Sequence, residues 1–323
     1  MSFSNLSVVI VNYVTPKLTC ECLASLYPND SDVIQKTFIV DNKSPDDSLD
    51  VIADYIDKNS LSEVVSVIPS ERNGGFSAGN NLGINACDSE FILLLNSDTI
   101  VRPLAIGLLV KTLIDNPMAG MASPSLEWED GSPQESCFRF HRPISELIRS
   151  ACTGPITKLL KRYDVPIAVS DKISRPEWTS FACVLVRREV FDQIGLLDEE
   201  YFMYFEDVDF CQRARVHGWD IIHNPDARMV HLGSGSSGIK DKAAQRKRMP
   251  RYLYESRTRY YYKYFGRGGL LAANLFWYLG WCVAMTRTLL SVSYQSNICE
   301  AQWKDIWTNF GNPNTPYVHP KNY

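Results

Sequence analysis

The amino-acid sequence predicts an α/β fold with a mainly parallel central sheet flanked by helices. Three observations carry this. Short apolar or β-branched runs alternate with helical patterns at the spacing of βαβ units. The runs Thr37-Phe38-Ile39-Val40 and Phe91-Ile92-Leu93-Leu94-Leu95 show no polar alternation, as in strands buried on both faces. Each ends in a polar cluster bearing an Asp, Asp41 and Asp98. A parallel sheet puts such ends on one edge, where open α/β sheets bind ligands.

The elements follow in order. Leu6 to Val11 reads as a buried strand, Asn12 to Pro16 as a loop, and Lys17 to Leu26 as a helix. After the Thr37 strand, Ser48 to Lys58 forms a helical pattern with Leu49, Ile52, Ala53 and Ile56 on one face. Val64 to Ile68 is a third strand. The glycine-rich stretch Arg72 to Gly79 leads into a helix through Ala86, before the Phe91 strand. Residues 123 to 180, rich in proline, read as loops and short helices over the sheet, an acceptor-side cover. Ala182 to Val186 is strand-like, and Arg187 to Ile194 is a helix stopped by Gly195. A helix from Glu206 to His217 ends at Gly218, with Val208, Cys211 and Arg215 on one face.

At 323 residues, 45% hydrophobic and 22% charged, the chain can bury a substantial core. A net charge of −4 gives no sign of a nucleic-acid partner. The nine cysteines are odd in number and contain no CxxC pair. That pattern fits a reducing compartment better than a zinc site or a disulfide framework. The first residues show no basic segment followed by an apolar run, so a cytosolic location is expected.

Four local signals could carry chemistry. Asn96-Ser97-Asp98 closes a buried strand and fits either a turn or an Asp gripping a hard cation and, through it, a diphosphate. Arg72-Asn73-Gly74-Gly75-Phe76-Ser77-Ala78-Gly79-Asn80 is neither GxGxxG nor a P-loop, which disfavours dinucleotide oxidoreductases and P-loop NTPases. Its glycines allow close backbone approach to a ligand, or simply a tight strand-to-helix connection. Glu206-Asp207-Val208-Asp209 opens a helix, where acids favour the macrodipole. The preceding Tyr201, Phe202, Tyr204 and Phe205 instead suggest raised carboxyl pKa values suited to a general base. His231 follows a strand and precedes a Gly/Ser loop, a place from which it can complete a metal site with an Asp.

In this order and spacing the signals resemble the family 2 glycosyltransferases, in particular their bacterial rhamnosyltransferase-like branch. The matching segments are Val8 to Tyr13, Val40 to Ser44, Asn73 to Asn80, Leu95 to Asp98, Phe202 to Arg213, and His231. The resemblance implies a GT-A, Rossmann-like nucleotide-diphospho-sugar transferase fold and inverting transfer from a nucleoside diphosphate donor. It implies Asp207 as catalytic base, paired with Glu206, and Asp98 and His231 as ligands of Mg²⁺ or Mn²⁺. Asp41 matches the residue that hydrogen-bonds the pyrimidine base, with Arg72 nearby. Asn12, Gly75, Phe76, Asn80, Asn96 and Ser97 complete the expected donor site. Asn96 stands where many relatives carry an Asp, which leaves one fewer carboxylate for the metal. The branch points to dTDP-L-rhamnose as donor and a glycan or lipid-linked acceptor in cell-surface polysaccharide synthesis. A UDP-hexose donor, or a non-catalytic sugar-nucleotide or glycan-binding module, is the alternative.

The expected division is a catalytic domain at 1–237 and a helical extension at 238–323. Between Ile239 and Arg267 ten basic residues face two acids, with tyrosines interleaved, and Gly268 to Thr286 carries no charge. This pairing fits a peripheral helix pair on the anionic inner face of the cell membrane. A spanning helix or an ordinary packed or dimerising helix is the alternative. Nucleic acid would not explain the apolar segment.

Overall fold

The structure, a computed structural model, describes residues 5–30, 32–233, 239–290 and 296–322. The Gly/Ser loop expected after His231 falls largely at Ser234–Ser237, outside the described residues.

In chain order the elements are β1 (Leu6–Asn12), α1 (Pro16–Asp30), β2 (Ile34–Asp41), α2 (Ser48–Lys58) and β3 (Val65–Pro69). Then come α3 (Gly75–Ala86), β4 (Phe91–Asn96), β5 (Thr99–Val101), α4 (Ala105–Asp115) and β6 (Ala119–Glu127). The middle of the chain holds β7 (Cys137–Phe138), α5 (Ser145–Ala151), α6 (Gly154–Leu159), β8 (Trp178–Thr179), β9 (Cys183–Arg187) and α7 (Arg188–Ile194). Last are α8 (Glu206–Val216), β10 (Asp220–His231), α9 (Ile239–Ala244), α10 (Arg251–Leu290) and α11 (Gln302–Asp305).

The chain divides into two compact units. The first comprises 1–138, 167–199 and 206–237. Its sheet has the order β3-β2-β1-β4-β9-β6-β10-β5. Strands β1 to β4 pair in parallel, as the βαβ reading requires. Strand β9 enters antiparallel between β4 and β6, and β5 pairs antiparallel with β10. Asn12 is in register with Asp41, and Val11 with Asn96, so these three strand ends share one edge. Strand β6 and the parallel β10 bring Glu127 and His231 to the same edge.

Two expectations change. Residues 123–127 are not loop but the end of β6. Pro124 offers no N–H to the ladder, and the β6–β10 register breaks just past it, between Asn224 and Arg228. In α2 the buried face is Ser48, Ile52 and Ile56, while Leu49 and Ala53 turn outward.

The second unit comprises 139–166, 200–205 and 238–323. Helix α10 is broken at Gly266, whose φ of 65° is the left-handed region glycine enters freely. Its first segment is largely internal: Tyr252, Tyr254, Tyr260 and Tyr261 are buried. Arg257 is buried against Glu146 of α5 at 3.2 Å and donates to Asn274 Oδ1 at 2.8 Å. Arg248 pairs with Asp305 and Arg251 with Glu255. Several cations of the basic, Tyr-rich tract, expected at a membrane, thus hold this unit together.

Candidate donor and catalytic site

At the shared strand edge of the first unit, Asp41 is buried and held at both oxygens. Oδ2 accepts from Asn12 Nδ2 at 2.8 Å, and Oδ1 from the Ser44 backbone N–H at 2.9 Å. Asn12 is itself saturated, because its Oδ1 accepts from Thr15 and Thr19 hydroxyls. Asn12 therefore orients Asp41. Thr15 Oγ1 lies 3.1 Å from Ser97 Oγ, so one hydrogen-bond chain links Asp41 to the residue before Asp98.

The glycine-rich segment resolves into two roles. Gly75, at φ 81°, starts α3 in a conformation other residues resist. A Cβ on Gly79 or Gly83 would overlap Val11 or Val9, so these glycines let α3 lie close on β1. Asn42 holds the loop, donating to Gly75 O at 2.9 Å and Asn73 Oδ1 at 3.0 Å. Asn80 Nδ2 donates to Phe76 O at 2.9 Å, so that donor serves the first turn of α3. Arg72 sits at the exposed rim, 3.3 Å from Glu199.

Asp98 is buried between β4 and β5, and its backbone carbonyl accepts from Leu232 N–H at 3.0 Å, just past β10. His231 Nε2 stands 3.5 Å from Asp98 Oδ1. Gln134 sets the imidazole. Its Nε2 donates to two carbonyls, His231 O at 2.6 Å and Glu127 O at 3.1 Å. That leaves Oε1 facing His231 Nδ1 at 3.3 Å, so Nδ1 carries the proton. In the neutral imidazole, Nε2 then turns its lone pair toward a carboxylate. Two acceptors facing each other are what a cation between them reconciles, and a ligating His donates its other N–H in this way. The donor set fits Mg²⁺ or Mn²⁺ sparingly. Among the described residues no group of three His, Cys, Asp or Glu side chains gathers, so most coordination positions would fall to diphosphate oxygens and water.

Helix α8 begins at Glu206, and its acids divide by partner. Asp209 is buried and paired with Arg213 at 2.9 Å, and Arg213 also donates to the carbonyls of Ile194 and Leu196. It is a structural ion pair. Asp207 has no such cation among the described residues; its Oδ1 accepts the Val208 backbone N–H. Burial pushes its carboxyl up to about 7, against the opposing pull of backbone hydrogen bonds. Burial, then the Asp207 charge, raises Glu206 well above the usual carboxyl range, and its buried Oε2 has no hydrogen-bond partner among the described residues. In the second unit the chain reaches Glu206 through Tyr204 and Phe205, at φ 70° and 69°. Such angles cost about 1–2 kcal/mol per residue, and Phe205 is held by rings of His141 and Tyr260 at 5.1 and 5.3 Å.

Asn12, Asp41, Asn96, Ser97, Asp98 and His231 thus gather on the sheet edge, while Arg72 stands at the rim. Sequence reasoning missed Gln134, Thr15 and the clamp made by Asn42. A lone Gln in an irregular stretch carries no pattern, and only the fold brings Gln134 beside His231.

A family model described as glycosyltransferase like family 2 matches residues 4–255. The N-acetylglucosaminyl-diphospho-decaprenol L-rhamnosyltransferase of Mycobacterium tuberculosis is 30% identical over 190 residues, 54% of this chain and 61% of that protein. The chain thus spans less than two thirds of that relative. The dTDP-rhamnosyl transferase RfbF of Shigella flexneri is 27% identical over 240 residues, 73% of this chain and 72% of that protein. Among solved structures, the mannosyltransferase PcManGT from Pyrobaculum calidifontis, in complex with GDP-Man and Mn²⁺, superposes with TM-score 0.57 at 12% identity. It covers 89% of this chain and 76% of its own. Residues 1–349 of S. aureus TarS superpose with TM-score 0.53 at 17% identity, over 96% of this chain and 81% of that one. At these identities the likeness speaks for the fold, which is GT-A. The chain belongs to the glycosyltransferase-like family 2.

Proposed function

We propose that the chain is an inverting glycosyltransferase that moves L-rhamnose from dTDP-L-rhamnose to a glycan or lipid-linked acceptor in cell-surface polysaccharide synthesis. The observation that carries the reading is the contrast within α8: Asp209 is buried and neutralised by Arg213, whereas Asp207 is half-buried, has no paired cation among the described residues and is raised to about 7. A carboxylate so poised can take and release a proton near neutrality. Asp207 removes the acceptor hydroxyl proton as that oxygen attacks the anomeric carbon. The bond from that carbon to the diphosphate oxygen breaks, and the electron pair leaves on the diphosphate. Glu206 keeps its own proton and leaves the charge change to Asp207.

The remaining residues hold the donor. Asp41, aligned by Asn12, accepts from the pyrimidine base, with Arg72 at the rim. The first turn of α3, set by Gly75 and shaped by Asn80, offers backbone N–H groups from Phe76 onward to the diphosphate, the Gly75 N–H being taken by Asn73 Oδ1 at 3.0 Å. Asn96 and Ser97 line the strand end. Asp98 and His231 would hold Mg²⁺ or Mn²⁺, which when bound offsets charge on the departing diphosphate. Two relatives are named for transfer of rhamnose, and one of them for a polyprenyl-linked acceptor, which supports this donor and acceptor class. Such an acceptor puts the chain on the cytoplasmic side, peripheral on the inner membrane face. Residues 1–237 carry the chemistry and 238–323 the attachment.

The test is release of nucleoside diphosphate by the purified chain with Mn²⁺, acceptor and a panel of dTDP-L-rhamnose and UDP-hexoses. Selective dTDP release supports the reading. Release only from a UDP-hexose replaces the donor, and donor binding without any turnover leaves a binding module.

A further inference from the structure

We propose that the outer face of the second segment of α10, together with the basic turn around α6, forms one docking surface for an anionic lipid bilayer. This rests on the membrane-side reading above but names different elements from the basic tract at 239–267, several of whose cations serve internal contacts. From Arg267 to Leu290 the helix is about 36 Å long. One face is packed: Ala273, Asn274, Trp277, Gly280 and Ala284 are buried. Ser150 of α5 donates to Trp277 O at 2.8 Å, and a Cβ on Gly280 would overlap Ser150. The opposite face is apolar and open, with Leu271, Leu275 and Leu279 at 40%, 52% and 56% exposure, four residues apart. It continues to Leu289 and Leu290, both above 80% exposed.

Two neighbours pack along the same segment. Arg287 donates to Cys152 O at 2.6 Å, which brings the chain just before α6 to the end of α10. There Leu159 is 83% exposed, flanked by exposed Lys158 and Lys161. Along the helix, Tyr278 donates to Trp303 O at 2.6 Å, which brings the exposed Trp303 and Lys304 alongside this segment. Leucines and a tryptophan bordered by lysines are the composition of an interfacial anchor.

Charge decides the occupant. The stretches 147–163 and 256–299 contain no acid. A second copy presenting the same face would meet like charge across a two-fold axis, whereas anionic headgroups attract it. Orientation follows from packing. Asn274 is buried on the inner side of this segment, where Arg257 of the first segment donates to it, so the segment lies along the bilayer surface and does not cross it.

The test is co-sedimentation of the full chain with phosphatidylcholine vesicles and with vesicles that also contain phosphatidylglycerol, without nucleotide or acceptor. Binding to the anionic vesicles, weakened by salt, is expected. Leu275→Glu/Leu279→Glu should weaken it more than tenfold, and Lys158→Ala/Lys161→Ala about fivefold per lysine. Met118→Gln, on an exposed site of the first unit, should bind as wild type. Circular dichroism and thermal melting establish that each variant is folded, with Leu289→Glu as a second probe of the face. The proposal is overturned if wild type ignores anionic vesicles or if folded Leu275→Glu/Leu279→Glu binds unchanged. It is also overturned if the leucine variants abolish a dimer while vesicle binding persists. Asp207→Asn should bind vesicles normally, so failure of the transfer reading and failure of this surface are separate results.

Discussion

Gln134 determines which nitrogen of His231 faces Asp98. Its amide donates to two backbone carbonyls and presents Oε1 to Nδ1, which leaves Nε2 3.5 Å from the Asp98 carboxylate. No side chain of Gln134 need touch a donor for this to matter, because a histidine with the wrong tautomer cannot ligate from Nε2.

Gln134→Ala should therefore weaken Mn²⁺ about 10–100-fold while the fold persists. Titration calorimetry with Mn²⁺, in the presence of the released nucleoside diphosphate, measures it. Turnover at saturating Mn²⁺ should recover most of the wild-type value. Equal Mn²⁺ affinity in the two proteins would remove Gln134 from the metal site.

Asp207→Asn should lower turnover about 10²–10⁴-fold and leave donor affinity within a factor of two. Asp209→Asn should behave in the opposite sense. It strands Arg213 beside the Ile194 and Leu196 carbonyls, so thermal stability falls while the surviving folded fraction turns over. Near-normal turnover by Asp207→Asn would exclude it as base.

The pH dependence follows in sign from Asp207. The carboxylate is the active form and burial raises its pKa to about 7, so the rate should rise tenfold per pH unit below that value and level off above it. A profile of kcat with saturating donor and acceptor checks this. A plateau reaching down to pH 5 would contradict a base of raised pKa.

Arg257→Met should destabilise the second unit by up to about 3 kcal/mol, because buried Glu146 keeps only the half-exposed Arg149, at 3.5 Å, as its cation. Burial pushes Glu146 up, but Arg257 and Arg149 outweigh it and hold it down to about 2. The stability this pair contributes is complete above the ordinary value of about 4.5 and lost as pH falls through about 2. Urea unfolding across that range should show the gap between wild type and Arg257→Met narrowing toward acid.

The parallel half of the sheet and its Asp-bearing strand ends were legible because uninterrupted apolar runs and βαβ spacing are local signals. The antiparallel insertion of β9 between β4 and β6 was not, since strand order depends on contacts between residues far apart in the chain. The same holds for Pro124, which reads as a breaker and instead sits in β6 where β10 bulges between Asn224 and Arg228. Among the acids of Glu206-Asp207-Val208-Asp209, residue type alone did not separate base from ion pair; the position of Arg213 did.

Residue order by itself determined the α/β class, the glycosyltransferase family and the identity of Asp41, Asp98, Asp207 and His231 as the residues to watch. These rest on patterns within a few positions of each other. Only the tertiary structure decided that Asn12 serves Asp41 and that Gln134 sets His231, whereas Asp209 and Arg213 stand four residues apart on one helix, a spacing the sequence already offers. The tertiary structure also turned Arg257 of the basic tract inward and paired Arg248 and Arg251 with acids, while leaving the leucines of α10 exposed. Hydrogen-bond partners and burial come from chain segments dozens of residues apart, and no local pattern encodes that distance.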